Sequence, residues 1–338
     1  MTLLISIIVL GLVFDYINGF HDAANSITTI VTTKVLTPFQ AVLWAAFFNF
    51  VAFFISKYII GEFGIANTVS KTVYEQYITL PIILAGVVGA VIWNLLTWWK
   101  GIPSSSSHTL IGGFAGSAIM AKGFAAIHGA VILKIAAFIF LAPFIGMFIA
   151  FIISLIVLYT CRRVNHAHAE VWFKRLQLVS SALFSVGHGL NDSQKVMGII
   201  AAAMIAAHPL HIGMGIRSIE DIPDWVAFSC FACISLGTMS GGWKIVKTMG
   251  TKITKVTPFE GVVAETAGAL TLYLTEILKI PVSTTHTIAG SIMGVGATKR
   301  LSAVRWGVTK DLMTAWILTI PVSGLLGAGI YLILSLFV

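Results

Sequence analysis

Two short signatures put a carboxylate where the chain is otherwise apolar: Gly-Phe-His-Asp at 19–22 and Gly-Leu-Asn-Asp at 189–192. Asp22 is followed by Asn25, and Asp192 by Lys195. Two further signatures place hydroxyls behind a proline, Ile-Pro-Ser-Ser-Ser-Ser-His-Thr at 102–109 and Ile-Pro-Val-Ser-Thr-Thr-His-Thr at 280–287. Proline interrupts a helix, and serine or threonine starts one. A helix start offers free N–H groups and the positive end of the dipole, and both hold an oxyanion. Ser105, Ser106, Ser107 and Thr109, with Ser283, Thr284, Thr285 and Thr287, add neutral donors. Two such starts facing each other would cradle one anion. Carboxylates beside an anion repel it unless a cation or proton lies between them. That is the logic of symport, in which the coupling ion makes the anion site neutral enough to fill. Asp22, Asn25, Asp192 and nearby hydroxyl and backbone oxygens suit a hard cation such as sodium. A protonated Asp serves proton coupling equally well. The blander readings are that the serines mediate helix contact and the Asp residues cap short helices. Recurrence of both motifs favours the functional reading.

Glu265, in Val-Val-Ala-Glu-Thr-Ala-Gly, is a further acid in an apolar run. It is expected to bind or carry the coupling cation, the alternative being a pair with Lys195 or another basic group. Lys195 is also expected to touch the anion. His21, His108, His188 and His286 border the motifs and read as neutral, hydrogen-bonded imidazoles. Asn49 and Asn94 read equally well as helix–helix hydrogen bonds. Cys230 and Cys233 form Cys-Phe-Ala-Cys without a second ligand pair, so no structural metal is expected. Ser107 and His108 are sequence neighbours and do not face each other on a helix, whereas a nucleophile and its base must. No enzyme is expected. A channel would share the broken helices, and uphill accumulation is what separates it from a transporter.

These residues need a scaffold at membrane depth. The 338 residues are 57% hydrophobic and 10% charged, with mean hydropathy +0.95. That is far below the charge of a soluble domain and marks a polytopic helical membrane protein. No alternating ten-residue segments of a β-barrel occur. The first apolar run lacks a basic flank and a cleavage site, and reads as a retained helix. Expected spans are 1–32 (interrupted at the Asp motif), 38–60, 79–99, 103–121, 130–160, 177–206, 223–242, 258–279, 281–297 and 311–337. In all, about 10–12 membrane segments are expected. The net charge of +8 gathers in short loops, which is topological and gives no reason to invoke nucleic acid. Basic loops at 162–175, 244–255 and 299–310 contrast with neutral or acidic ones at 61–78 and 207–222. Basic-side-in places both termini outside the plasma (inner) membrane. Asp22 to Asp192 is an offset of 170 and Pro103 to Pro281 one of 178, in the same order. The chain therefore reads as an N-terminal repeat at 1–160, a basic cytoplasmic linker at 161–176 and a C-terminal repeat at 177–338. The charge-based topology inverts one repeat relative to the other, as in secondary transporters whose sites lie at the repeat interface.

At these residues the chain resembles the inorganic phosphate transporter family, of the bacterial low-affinity permease type. The resemblance rests on GFHDAAN at 19–25, IWN at 92–94, GIPSSSSHTLIGG at 101–113, GLND at 189–192, VKTMG at 246–250 and TPFEGVVAETAGALTLYLTEILKIPVSTTHTIAGS at 257–291. It implies symport of phosphate with protons or sodium, no cofactor, and a homodimer. It implies substrate and cation sites at Asp22, Asn25, Asp192 and the Ser/Thr tips, with Glu265 matching a cation-site glutamate. Asn49 stands where sodium-coupled members carry a Glu, and GFHD where many read GAND. Both point to the proton-linked branch, which can carry phosphate as a neutral divalent metal–phosphate complex. The alternative within the fold is sulfate or another oxyanion. Sulfate wants donors only, whereas protonated phosphate also wants an acceptor such as Asp22.

Overall fold

The computed structural model describes residues 1–208 and 215–337. Among them the fold is all-α, and its only β feature is an isolated bridge between Val73 and Ile127. Twelve helices follow one another: α1 Thr2–Thr32, α2 Pro38–Ile55, α3 Gly64–Ser70, α4 Leu80–Lys100, α5 Ser106–Lys122, α6 Gly129–Thr160, α7 His166–Ala207, α8 Asp224–Ser240, α9 Trp243–Lys252, α10 Pro258–Ile277, α11 Thr284–Lys299 and α12 Trp306–Leu334.

Caps set many of these boundaries. Thr37 starts α2 and Thr257 starts α10 in capping boxes with Gln40 and Glu260, each followed by proline. Asn165 caps α7 through the Ala167 N–H at 2.9 Å. Residues 166–176, expected as linker, are therefore the first three turns of α7. α1 also differs from expectation, because it runs unbroken through Gly-Phe-His-Asp. A buried helix keeps its backbone bonds internal, and its polar side chains find partners on neighbouring helices, so no break is needed. Asp22 and Asp192 lie inside helices, which excludes a capping role for either. The breaks occur instead at residues 101–105 and 278–283, before α5 and α11.

Among the described residues, five helices are long and apolar enough to cross a membrane: α1, α2 with its π-helical extension to Ile60, α4, α6 and α12. The pair α8–α9, bent by 73° at Gly241–Gly242, is a sixth if it forms one span. Gly241 has a positive φ of 70°, where a side chain would be strained. The other expected spans fall short for physical reasons. α5 and α11 have 17 and 16 residues, which is less than the roughly 20 a span needs. α7 and α10 carry buried polar and acidic side chains.

The packing has twofold character. α5 lies on α4 and α12, and α11 on α10 and α6. α1 lies on α8 as α7 lies on α2, and α9 lies on α1 as α3 lies on α7. Each contact recurs when six is added to or subtracted from both helix numbers. The close approaches recur as well. A Cβ on Gly116 would land on the Gly324 carbonyl, and one on Gly294 on the Met147 carbonyl. Small residues let helix backbones approach where no hydrophobic force drives association. Pro143 inside α6 and Pro321 inside α12 are 178 residues apart, the offset of the Ser/Thr motifs. Phe144, Phe148 and Leu325 on these helices point outward, as a lipid-facing surface requires.

Candidate functional site

The two helix starts are built alike. Gly101 ends α4 with φ 67°, and Lys279 follows α10 with φ 56°. Ile-Pro then leads to Ser105 and Ser283, the N-caps of α5 and α11. Their hydroxyls accept from the N–H of His108 at 3.2 Å and of His286 at 3.3 Å. Thr109 and Thr287 each donate back to those cap residues' carbonyls, at 2.8 and 3.0 Å. Four of the eight hydroxyls expected to bind the anion therefore hold the helix starts together.

The other four hydroxyls meet the Asp motifs, and most of the contacts are duplicated. Ser106 donates to Asp22 Oδ2 at 2.9 Å, and Thr284 to Asp192 Oδ2 at 3.5 Å. Asn25 Nδ2 reaches across to Thr285 Oγ1 at 2.9 Å, and also to Thr284 Oγ1 at 3.1 Å. Its counterpart Lys195 crosses the other way to Ser107 Oγ at 2.5 Å. Thr285 donates to the Ser104 carbonyl and Ser107 to the Val282 carbonyl, at 3.3 and 3.2 Å. Each tip thus bonds both Asp-motif helices. All eight of these side chains, Asp22, Asn25, Asp192, Lys195, Ser106, Ser107, Thr284 and Thr285, are buried.

Lys195 differs from its expected role. Its ammonium is committed to Asp192 Oδ1 at 2.6 Å, the Val282 carbonyl at 2.6 Å and Ser107. It neutralises Asp192 and anchors both tips, and all three of its donors are spent. Asp22 has no such ammonium. His21 Nδ1 lies 2.7 Å from Asp22 Oδ1, and its Nε2 faces the Thr97 hydroxyl at 3.1 Å. With Nδ1 protonated, the ring donates to Asp22 and accepts from Thr97. Ligand atoms of Asp22, His188 and Asp192 lie within 4.8 Å of one another. Two carboxylates that close need a cation or a proton, so this cluster could hold either.

Asn49 joins this cluster at one remove. It donates to Thr238 at 2.9 Å, and its Oδ1 lies 3.1 Å from His188 Nδ1. His188 Nε2 faces Asp192 Oδ2 at 3.4 Å. The expectation of four hydrogen-bonded imidazoles holds for His21 and His188. His108 and His286 find no hydrogen-bond partner for their ring nitrogens among the described residues. They pack instead, His286 stacking on Trp316 at 4.0 Å, and Trp316 pins the Pro103 carbonyl at 3.0 Å.

Glu265 sits apart from the tips. It accepts from Thr29 and Ser180, each at 2.5 Å, and from Gln177 at 3.0 Å. No basic group pairs with it among the described residues, so the Lys195 alternative falls. Gln177 receives Thr33 in turn at 2.8 Å. Sequence reading missed Thr29, Gln177, Ser180 and Thr97, and it missed the buried Asp15 and Asn18. A signal was available on α1, where Asp15, Asn18, Asp22, Asn25 and Thr29 recur at alternating intervals of three and four. That spacing draws one polar line along a helix face.

The profile of the phosphate transporter family matches residues 18–327. A protein of Rhizobium meliloti named "Probable low-affinity inorganic phosphate transporter" is 47% identical, over 97% of this chain and 96% of its own. A Bacillus subtilis protein of the same name is 45% identical, over 99% and 98%. The solved structure described as "The sodium-dependent phosphate transporter" superimposes with a TM-score of 0.84 at 25% identity, covering 100% of both chains. These relatives are transporters and not enzymes. With its paired Asp motifs and Ser/Thr tips at the centre of this fold, the chain belongs to the phosphate transporter family.

Proposed function

We propose that this protein imports inorganic phosphate by symport with a cation, a proton being favoured over sodium. The observation that carries the reading is the crossed, twofold set of contacts between two acid-bearing helices and two hydroxyl-bearing helix starts. An oxyanion placed between α5 and α11 meets Ser106, Ser107, Thr284 and Thr285, together with N–H groups at the positive ends of both dipoles. Asp22 or Asp192 supplies the acceptor that a protonated phosphate needs and sulfate does not. Two matched half-sites allow two twofold-related arrangements, one open to each side, which is alternating access. Coupling-cation ligands are Asp22, Asn25, Asp192 and, at a separate place, Glu265.

Two observations favour the proton. The Lys195 ammonium occupies Oδ1 of Asp192, Ser107 and the Val282 carbonyl, which leaves only Oδ2 of Asp192 open to a metal cation. At position 49 an amide, not a carboxylate, faces His188. Sodium is the second reading, supported by the solved relative described as sodium-dependent. The charge pattern supports external termini. Family resemblance supports a homodimer and carriage of phosphate as a divalent metal complex.

The test uses purified protein in sealed liposomes. Labelled phosphate uptake is followed under an inward proton gradient, and separately under an inward sodium gradient, each with and without magnesium. Accumulation with protons alone is expected. Accumulation only with sodium would replace the proton reading. Sulfate accumulating in place of phosphate would overturn the substrate.

A further inference from the structure

Asp15 is a buried acid that the phosphate site does not use. It lies on α1 seven residues before Asp22, two turns and about 10 Å along the axis, on nearly the same face. It is 0% exposed, and among the described residues neither carboxylate oxygen has a partner in full hydrogen-bond geometry, Cys230 and Asn18 being the side chains placed to donate weakly to it. Asn18 lies beside it with its own carbonyl oxygen unsatisfied. The titratable and charged groups that face Asp15 are Cys230 and Cys233 on α8, and Asp192 and Lys195 on α7. Among the described residues, no other titratable group acts on it.

Burying an ionised carboxylate so weakly supplied with donors is costly. Its oxygens therefore call for a proton or a cation. The cation that faces it among the described residues, Lys195, is already held by Asp192, Ser107 and the Val282 carbonyl. Ionising Asp15 thus competes with the ion pair that anchors both hydroxyl tips. Asp15 and Thr29 also stand symmetrically about Asp22, seven residues to either side, and Thr29 bonds Glu265. The polar face of α1 consequently has an acid at each end and the anion site in the middle.

We propose that Asp15 is the proton-carrying residue on the α1 N-terminal side of the phosphate site. It takes a proton from water onto one carboxylate oxygen, forming an O–H bond, while Lys195 remains with Asp192. It returns that proton to water, the same O–H bond breaking, when rearrangement of the tips frees Lys195 to face the carboxylate. Loading and release are thereby tied to the state of the site. This inference deepens the proton-coupled reading above and rests on it.

Asp15→Asn tests it, because Asn imitates the protonated acid with little change of shape. Two transport modes are compared in liposomes. Accumulation under an inward proton gradient needs net proton movement. Exchange of external labelled phosphate for internal phosphate at equal pH does not. In the variant, exchange is expected to stay within about twofold of the parent, while gradient-driven accumulation falls by about tenfold or more. Asp15→Glu is expected to restore accumulation. The parent protein is measured first, and a parent driven only by sodium removes the proton-coupled reading itself. Given a proton-driven parent, accumulation by Asp15→Asn at the parental level would overturn the role of Asp15. Loss of exchange together with accumulation would assign Asp15 to packing and overturn it as well.

Discussion

Replacing Lys195 by Met is the sharpest test of the site's electrostatics. The ammonium is 2% exposed and makes three short contacts, to Asp192, Ser107 and the Val282 carbonyl. Met keeps the length and loses all three. Asp192 is then left ionised in the interior, with ligand atoms of Asp22 and His188 within 4.8 Å. Removing one partner of a buried pair costs about 3–5 kcal/mol. At roughly 2 °C per kcal/mol for a chain this long, the melting temperature falls by roughly 6–10 °C. The double variant Asp192→Asn with Lys195→Met removes the orphaned charge and is expected to recover about half of that loss or more. The assay is fluorescence-detected size exclusion of detergent-solubilised protein after graded heating. A single variant melting within about 1 °C of the parent would refute the argument. So would a double variant no more stable than the single one.

Three further outcomes follow from the geometry. Asp22→Asn and Asp192→Asn should each abolish phosphate uptake while the protein still inserts into the membrane, since each removes a carboxylate at the shared cluster; near-normal uptake in either would remove that Asp from the cycle. Ser106→Ala with Thr284→Ala should raise the apparent KM for phosphate by about tenfold or more, whereas Thr109→Val and Thr287→Val, whose hydroxyls only bond back to Ser105 and Ser283, should leave KM within about twofold; uptake kinetics distinguish the two classes, and equal effects would undo the assignment. Glu265→Gln should alter the dependence of uptake on the coupling cation with little change in KM for phosphate, and a rise in KM with unchanged cation dependence would place Glu265 with the anion instead.

The helical class, the matched motifs and most of the residues that the structure gathers around the two tips were legible in the sequence, because an acid or a proline in an apolar run is costly and therefore conspicuous. Which hydroxyls face the site was not. Ser105 and Ser106 are adjacent and chemically identical, yet one caps α5 and the other bonds Asp22, and only the direction in which the chain enters the helix separates them. Lys195 was read toward the anion because its partners, the Val282 carbonyl and Ser107, come from segments 87 and 88 residues away. The interruption expected at Asp22 failed for a related reason. Polarity in sequence was taken for a break in backbone, whereas Ser106 and His21 satisfy the carboxylate without one. Asp15 escaped notice because it has no repeated counterpart and lies outside both motifs, although its spacing to Asn18 and Asp22 was visible.

The interlocked packing of α5 on α12 and α11 on α6 bears on how the protein is made. During synthesis α5 emerges nearly 200 residues before its main neighbour. Until α12 arrives, the glycine face at Gly112 and Gly116 has no backbone to close against, although Asp22 on α1 and Lys195 on α7 are already made and can hold the first hydroxyl tip. Neither half can therefore reach its final packing by itself in the bilayer. Assembly of the anion site waits for the last helix to insert, which makes loss of α12 as damaging to the nascent protein as loss of the Asp motif in α1.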